Sequence, residues 1–517
     1  MGHPRGQVGS PSTTMPNFRI TPAFLALVLL LLVNSLALAA PFAAISDDVT
    51  PAAAEPSPLD PKLARTVGDS EQQLLPLLVG LAQWSDEHKL YRERDRMWKA
   101  VMKLDLTDKR AMRALKYRHI GQGRWWQSPS YREPRNRGTE ADLAQFERHR
   151  DAALGPYRRV VLGAANDRSI SRKARRWLAE RYLEFEEDNK GAHAALGEVW
   201  QDGQWILFES RATLQSRSKL QARAAHCIKE SKTVDIRATD EEWTYGVPWK
   251  TGGGTRRVRV LGTMMSSEAR DTARLAHATG RYYADVLGGR VQLRPGFTIY
   301  LLRDPEQRDQ LLSGYGVEGE TRRVLSSAAG GWIDADRKVG RAHLLGEWDP
   351  KRSRRRDGAV RQSMGTLLLD DLWIGAKHGW AWEGVGLYLC YQLTGSRETW
   401  FFQPGQSGNG LATTVWLEMQ TPGSDWFTLA EDILPGLPEG ALEVLLHKHL
   451  NALSDVDLLL SYVLAAYLLE GRPIETPVIL KKIGRGAPSD QVFAELLDVE
   501  PAVLQQRLLR WLRETRG

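Results

Sequence analysis

The chain has 517 residues, 42% hydrophobic and 26% charged, which is room for two to four domains at roughly 100–200 residues each. The formal net charge of +7, from 70 basic and 63 acidic side chains, is mild for this length. The one dense basic run, Lys351-Arg352-Ser353-Arg354-Arg355-Arg356, has no interleaved aromatics and no accompanying nucleic-acid motif, so nucleic acid is set aside as a partner.

The first element is an unbroken apolar run from Ala23 to Val33, preceded by Arg19 and followed by Ala37-Leu38-Ala39. A charged n-region, an apolar h-region and an A-x-A site predict a signal peptide over 1–39. The alternative is an uncleaved anchor, because the run extends weakly to about Ile45 and could span or attach to a membrane. Either way the bulk of the chain is expected outside the cytoplasm, periplasmic or extracellular. Residues 40–61, rich in Pro and Ala, read as a flexible linker.

From 62 to 232 apolar residues recur at three- and four-residue intervals, as in Leu74, Leu77, Leu78, Leu81 and Trp84, which predicts helices. Ala111-Met112-Arg113-Ala114-Leu115 before Gly123-Arg124-Trp125 is echoed by Ala192-His193-Ala194-Ala195-Leu196 before Gly203-Gln204-Trp205. This weak two-fold repeat suggests two helical units, each closed by a short strand or hairpin, and a scaffold or protein-binding arm. His119, His193 and His226 are isolated and read as surface or core histidines.

Residues 233–254 are read as a connecting segment. Beyond them come a strand at Val258–Leu261, a helix at Ser267–Leu287, a strand at Phe297–Leu302 and a helix near Pro305–Leu312. Strands at Gly330–Ile333 and Arg341–Leu345 follow, then helices at about Ala359–Trp373 and from near Trp382. The rest, from about Ala441, is helical. Of the 18 Trp, several are paired or lie beside Gly, such as Trp125–Trp126, Trp380 and Trp382. They are expected to pack, with a carbohydrate-binding platform as the alternative. Cys227 and Cys390 are expected as unpaired buried thiols, with one disulfide as the alternative.

Three features carry a family resemblance: Trp380-Ala381-Trp382-Glu383-Gly384-Val385-Gly386-Leu387-Tyr388, the apolar helix at 461–471, and the strand–helix–strand segment at 297–333. In this order they resemble the peptidase MA-like family, zinc peptidases of the gluzincin type, over 255–517. The resemblance implies an α+β, multidomain fold: a mostly helical N-terminal region, then a gluzincin-like domain with a small mixed sheet and a helical C-terminal subdomain. It also implies that Glu383 stands for the third zinc ligand.

The family's H-E-x-x-H places two imidazoles on one helix face around zinc, with Glu as general base. The corresponding window here is Arg361-Gln362-Ser363-Met364-Gly365, and 383 − 361 = 22 residues separate Arg361 from Glu383. Arg361 has no lone pair to offer, Gln362 cannot take a proton from water, and Gly365 supplies no ligand. No catalytic residue, metal or cofactor is therefore expected. A remote rescue set is His343, His378 and Glu383; His447 and His449, two apart, would point to different faces of a helix. A carboxylate inherited from a zinc site needs a cation, and Arg361 could supply it. The alternative has Glu383 solvated in an open cleft and Arg361 turned outward.

The leading function is an exported, inactive metallopeptidase-like domain that binds a peptide or protein, or acts as a scaffold. The alternatives are an active peptidase or other hydrolase with a non-standard site near Glu383, and a purely structural envelope protein. No G-x-S-x-G elbow supports the hydrolase.

Overall fold

The computed structural model describes residues 48–49, 58–119, 125–263, 266–289, 292–293, 297–327, 330–335, 340–346, 355–397, 410–421 and 423–516. The expected signal peptide, most of the expected linker and residues 351–354 of the basic run lie outside the described residues. The chain divides into two units, Met1–Val160 and Val161–Gly517. It is mostly helical with small sheets, which is compatible with α+β.

In the first unit, a two-residue strand β1 (Asp48–Val49) pairs with a later strand, so part of the expected linker joins a sheet. The Asp60 carboxylate accepts from the amides of Lys62 and Leu63 and starts the long helix α1 (Pro61–Glu87). Its face of Leu74, Leu78 and Leu81 is buried, while Leu77 stays 46% exposed. Helices α2 (Tyr91–Leu104) and α3 (Lys109–Ala114) follow, the latter capped by Asp108. An antiparallel hairpin, β2 (Tyr117–His119) with β3 (Trp125–Gln127), closes the series, and β1 pairs on β3.

The same five elements recur. They are α4 (Glu140–Ala165), within which the unit boundary falls, α5 (Arg172–Leu183), α6 (Lys190–Ala195) and a hairpin of β4 (Glu198–Gln201) and β5 (Gln204–Leu207). The offset is constant through the second helix, the short helix and the first strand: 172 − 91, 190 − 109 and 198 − 117 are each 81. The turn into each hairpin is left-handed, at Lys116 (φ 58°) and at Gly197 (φ 75°), again 81 apart. Glycine takes that conformation freely and lysine does not, so the second copy has the better turn residue.

Helix α7 (Phe208–Glu230) puts Leu220, Ala224 and Cys227 into the main core of the second unit. The segment expected to be a connector supplies β6 (Val234–Asp235), the capped turn of helix α8 (Asp240–Thr244) and β7 (Thr251–Gly254). Both strands belong to one six-stranded sheet with β8 (Val258–Gly262), β9 (Phe297–Leu302), β10 (Gly330–Ala335) and β11 (Gly340–Gly346), in the order β10-β11-β9-β8-β7-β6. The sheet therefore begins before residue 255, where the domain was expected to start. Strand β7 escapes hydropathy because it is Thr-Gly-Gly-Gly. Its bareness has a use: a Cβ at Gly253 would lie 2.6 Å from the backbone of Ala269, so helix α9 (Ser266–Leu287) packs directly on the strand's backbone.

Strands β8, β9 and β11 are parallel and the remaining pairs antiparallel. All six residues of β9 are buried, as a parallel strand covered on both faces should be. Phe297, Ile299 and Leu301 face the main core with α9. Tyr300 and Leu302 face a second core with Val247, Trp249 and the Leu311 and Leu312 of helix α10 (Pro305–Gly314). Helix α11 (Gly319–Ser327) leads to the β10–β11 hairpin.

The helical remainder is α12 (Arg355–Leu372), α13 (Gly379–Thr394), α14 (Gly410–Gln420), α15 (Trp426–Ile433), α16 (Ala441–His447), α17 (Asp455–Gly471), α18 (Thr476–Gly484), α19 (Ser489–Leu497) and α20 (Pro501–Thr515). Helix α17 is buried along nearly its whole length, which explains its apolar residues on every side. Cys227 and Cys390 are both free and buried, and burial with the nearby Asp285 pushes the Cys227 thiol up to about 11. Among the described residues no helix is long and apolar enough to cross a membrane.

Candidate functional site

Helices α12 and α13 pack side by side and carry the residues singled out in the sequence. Arg361, on the second turn of α12, donates through Nη2 to Glu383 Oε1 at 2.8 Å and to the Trp382 carbonyl oxygen at 3.2 Å. Both side chains of the ion pair are 2% exposed, so the pair is shut away from water. The open cleft with a solvated Glu383 is not what forms. The fit of the guanidinium depends on Gly386, one turn along α13, where a Cβ would run into Arg361. Arg361 Nε has no hydrogen-bond partner among the described residues, so the guanidinium is only partly satisfied.

Gly365 lies one turn beyond Arg361 on the same face of α12. A Cβ there would sit 2.9 Å from the Trp382 ring, so indole fills the space that a side chain at 365 would use. The other glycine of the motif, Gly384, faces α17, where a Cβ would strike the Ser461 carbonyl. Glu383-Gly384-Val385-Gly386 thus has a packing explanation at each glycine: one admits a neighbouring helix and the other admits an arginine. Gln362 is half-buried, and its carbonyl accepts from the Thr366 hydroxyl at 3.1 Å.

Of the rescue histidines, His343 lies on β11 and His378 just ahead of α13. His343 pairs with Ile299 and Trp332 in the middle of the sheet, and its side chain lies outside the described residues. His378 precedes α13, and the Gly375 amide donates to its Nδ1 at 3.4 Å. Burial, aided by Lys377, lowers its proton affinity. His447 faces Asp490 at 3.7 Å from the end of α16, and His449 caps the next turn, so the two do not share one helix as expected. Among the described residues no three His, Cys, Asp or Glu side chains lie where one metal ion could be held. The position facing Glu383 holds Arg361, a permanent cation with no lone pair to offer a metal.

Of the isolated histidines, His193 is buried against Glu198, lies 2.6 Å from the Glu187 carbonyl oxygen and stacks on Trp205 at 3.9 Å. His226 is exposed, and the side chain of His119 lies outside the described residues. Trp380 is buried with its indole N–H on Ser489 at 3.1 Å, and Trp382 is buried as well, so both are packing residues.

Two further buried carboxylates escaped the sequence reading. Glu209, on α7, accepts from Arg472 Nε and Nη2 at 3.0 and 2.7 Å, from Arg507 Nε and Nη2 at 3.1 and 2.8 Å, and from Tyr467 at 2.9 Å. Glu470, on α17, accepts from Tyr388 at 2.6 Å and from Arg217 Nε at 3.0 Å. Burial raises the proton affinity of both. At Glu209 the two arginines outweigh it and hold the carboxyl below its usual value; at Glu470 burial wins over Arg217 and Tyr388. The one local clue was a charge beside an apolar run, as in Leu468-Leu469-Glu470; their partners are 80 to 300 residues away in sequence and carry no local signal.

A carboxylate closed against a guanidinium and shut away from water is not presented to a substrate in solvent. The pair can hold α12 and α13 in register. Compared with known proteins, the chain matches no protein-family model and no curated protein.

Proposed function

We propose that the region from 255 onward is a peptidase MA-like domain of the gluzincin type that no longer holds zinc, in an exported protein that binds a peptide or protein or serves as a scaffold. The observation that carries this reading is the Arg361–Glu383 hydrogen bond of 2.8 Å, both side chains buried. An arginine sits where the resemblance calls for a metal, and it is paired with the residue in the place of the third ligand. The order of elements supports it: β8, α9 and β9, then β10, β11, α12, α13 and later the buried helix α17. The repeated helix–hairpin units would provide the second interaction surface. The apolar run at 23–33 supports export to the periplasm or the exterior, with cleavage or membrane attachment as the two outcomes.

Metal analysis of the purified full chain is expected to find no stoichiometric zinc; one zinc per chain overturns the reading. The complementary test restores the motif with Arg361→His, Gln362→Glu and Gly365→His. Because the Trp382 ring lies 2.9 Å from where a Cβ at 365 would be, Trp382→Ala must accompany them. The four-fold variant is expected to bind one zinc. A variant that melts cooperatively yet binds none would sink the alignment.

A further inference from the structure

Ile474, Val478 and Trp373 are large apolar side chains left 85%, 49% and 48% exposed. Val478, Lys481 and Arg485 recur at three- and four-residue spacing along α18 and just past its end, so they share one outward face. Ile474 lies two residues before that helix. Trp373 joins the face at its far end, with the Arg485 guanidinium 5.1 Å from its ring centroid. Lys481 and Arg485 are exposed, and among the described residues neither has an acidic partner. The nearby acids are engaged elsewhere: Glu475 with Arg472 at 3.6 Å and Glu495 with Lys482 at 2.6 Å. The surface therefore offers apolar groups flanked by uncompensated positive charge.

The backbone at Trp373 is another, independent observation. Helix α12 ends there in the left-handed conformation, φ 56°, with the Trp373 and Ile374 amides bonded back to the Leu369 and Leu368 carbonyls. That capping position ordinarily takes glycine, because a Cβ is strained in it. Here it carries the largest side chain of all, and that side chain is half exposed. Core packing does not account for a tryptophan in this place.

We propose that this patch docks the protein onto an anionic lipid surface. Tryptophan and short aliphatic groups suit the headgroup level of a bilayer, while Lys and Arg bury their stems and reach phosphates with their charged ends. The unpaired cations favour lipid over a neutral apolar partner, since an anionic surface attracts each of them. The proposal is independent of the lost zinc site.

The test is vesicle flotation of the full chain with phosphatidylcholine alone and with phosphatidylcholine containing phosphatidylglycerol. The N-terminal apolar run would insert whatever the headgroup charge, so the readout is the difference between the two compositions. Partition onto anionic vesicles should be about tenfold stronger or more and fall with added salt. Lys481→Glu with Arg485→Glu should abolish that difference. Ile474→Ser with Val478→Ser should weaken anionic binding by about tenfold, with an unchanged melting midpoint because both sites are exposed. Equal partition onto both compositions, or variants that bind like the parent, overturns the proposal. So does concentration-dependent self-association that the Ile474→Ser, Val478→Ser variant removes, which would make the patch a contact between two copies of this chain.

Discussion

Arg361–Glu383 and the Glu209 cluster are both buried arginine–carboxylate sites in the second unit, and they are built to different standards. Glu209 receives forked donation from Arg472 and Arg507 and a hydroxyl from Tyr467. Arg361 gives Glu383 a single hydrogen bond through Nη2 and leaves its own Nε without a partner among the described residues. A buried charge is stable only when its hydrogen-bonding capacity is met. The Glu209 cluster has the form of a tie between α7, α17 and α20. Arg361, by contrast, is a buried cation whose Nε is unmet among the described residues. On the proposed reading, the difference separates a structural ion network from what is left of a zinc site.

The largest expected effect tests the tie. Glu209→Ala leaves two guanidinium groups facing each other without their shared anion. Removing one member of a buried pair costs about 3–5 kcal/mol, and this site belongs at the upper end. Urea unfolding should show the loss as a lower midpoint. A cost under about 1 kcal/mol would mean that water replaces the carboxylate and that the cluster is not a tie.

The Arg361–Glu383 pair should behave differently. Glu383→Ala alone is expected to cost about 3 kcal/mol, because Arg361 is left buried and unpaired. Arg361→Met combined with Glu383→Leu should recover most of that, ending within about 1 kcal/mol of the parent. The double-mutant cycle measures this directly. If the double variant is as unstable as the single one, the pair is needed for the fold and the contrast with Glu209 collapses.

Acidity separates two carboxylates of the same core. Glu209 is held below its usual value of 4.5, so its contribution is present above about that pH and is lost as pH falls through the lower folded value. Glu470 is raised above 4.5, so its contribution is present below that value and is lost as pH rises through the higher folded one. Glu209→Gln should therefore remove stability at neutral pH and flatten the acid limb of the stability–pH curve. Glu470→Gln should cost least at neutral pH, where the parent carries the burden of a buried charge. Denaturation midpoints between pH 3 and 8 decide it; parallel curves for the two variants would contradict the assignment.

How much of this was legible depended on whether the signal was local. Phe297–Leu302 was readable because a fully buried parallel strand is a continuous apolar run, and the structure gives it those same bounds. Helix α9 and the β10 and β11 strands were placed within a few residues for similar reasons of periodicity and bounding glycines. Strand β7 was missed because its glycines carry no hydropathy; Gly253 admits α9, while Gly252 and Gly254 lie against Ile236. Arg361 facing Glu383 could be anticipated, since 22 residues suffice for two packed helices. That Trp382 fills the space at Gly365, and that Gly386 admits the guanidinium, required three dimensions. The Glu209 cluster was invisible because Arg507 is 298 residues away.

The smallest expected effect is also the finest test of the contrast, because it keeps the charge and changes only its shape. At Glu209 the guanidinium of Arg507 uses Nε and Nη2 together, a geometry that an ammonium cannot reproduce. Arg507→Lys should lose the fork and cost about 1.5–3 kcal/mol, the range for hydrogen bonds to charged groups. Arg361 bonds Glu383 and the Trp382 carbonyl through one nitrogen, Nη2, and its Nε is a donor without an acceptor. A lysine ammonium can occupy the place of that one nitrogen, and it brings no Nε to leave unmet. Against this stand the stronger hydration of an ammonium and the void beside Gly386. The two tendencies oppose each other, so Arg361→Lys is expected to cost about 1 kcal/mol or less. Equal losses for the two lysine variants in urea titrations would mean that Arg361 uses its full fork, and that its site is as finished as that of Glu209.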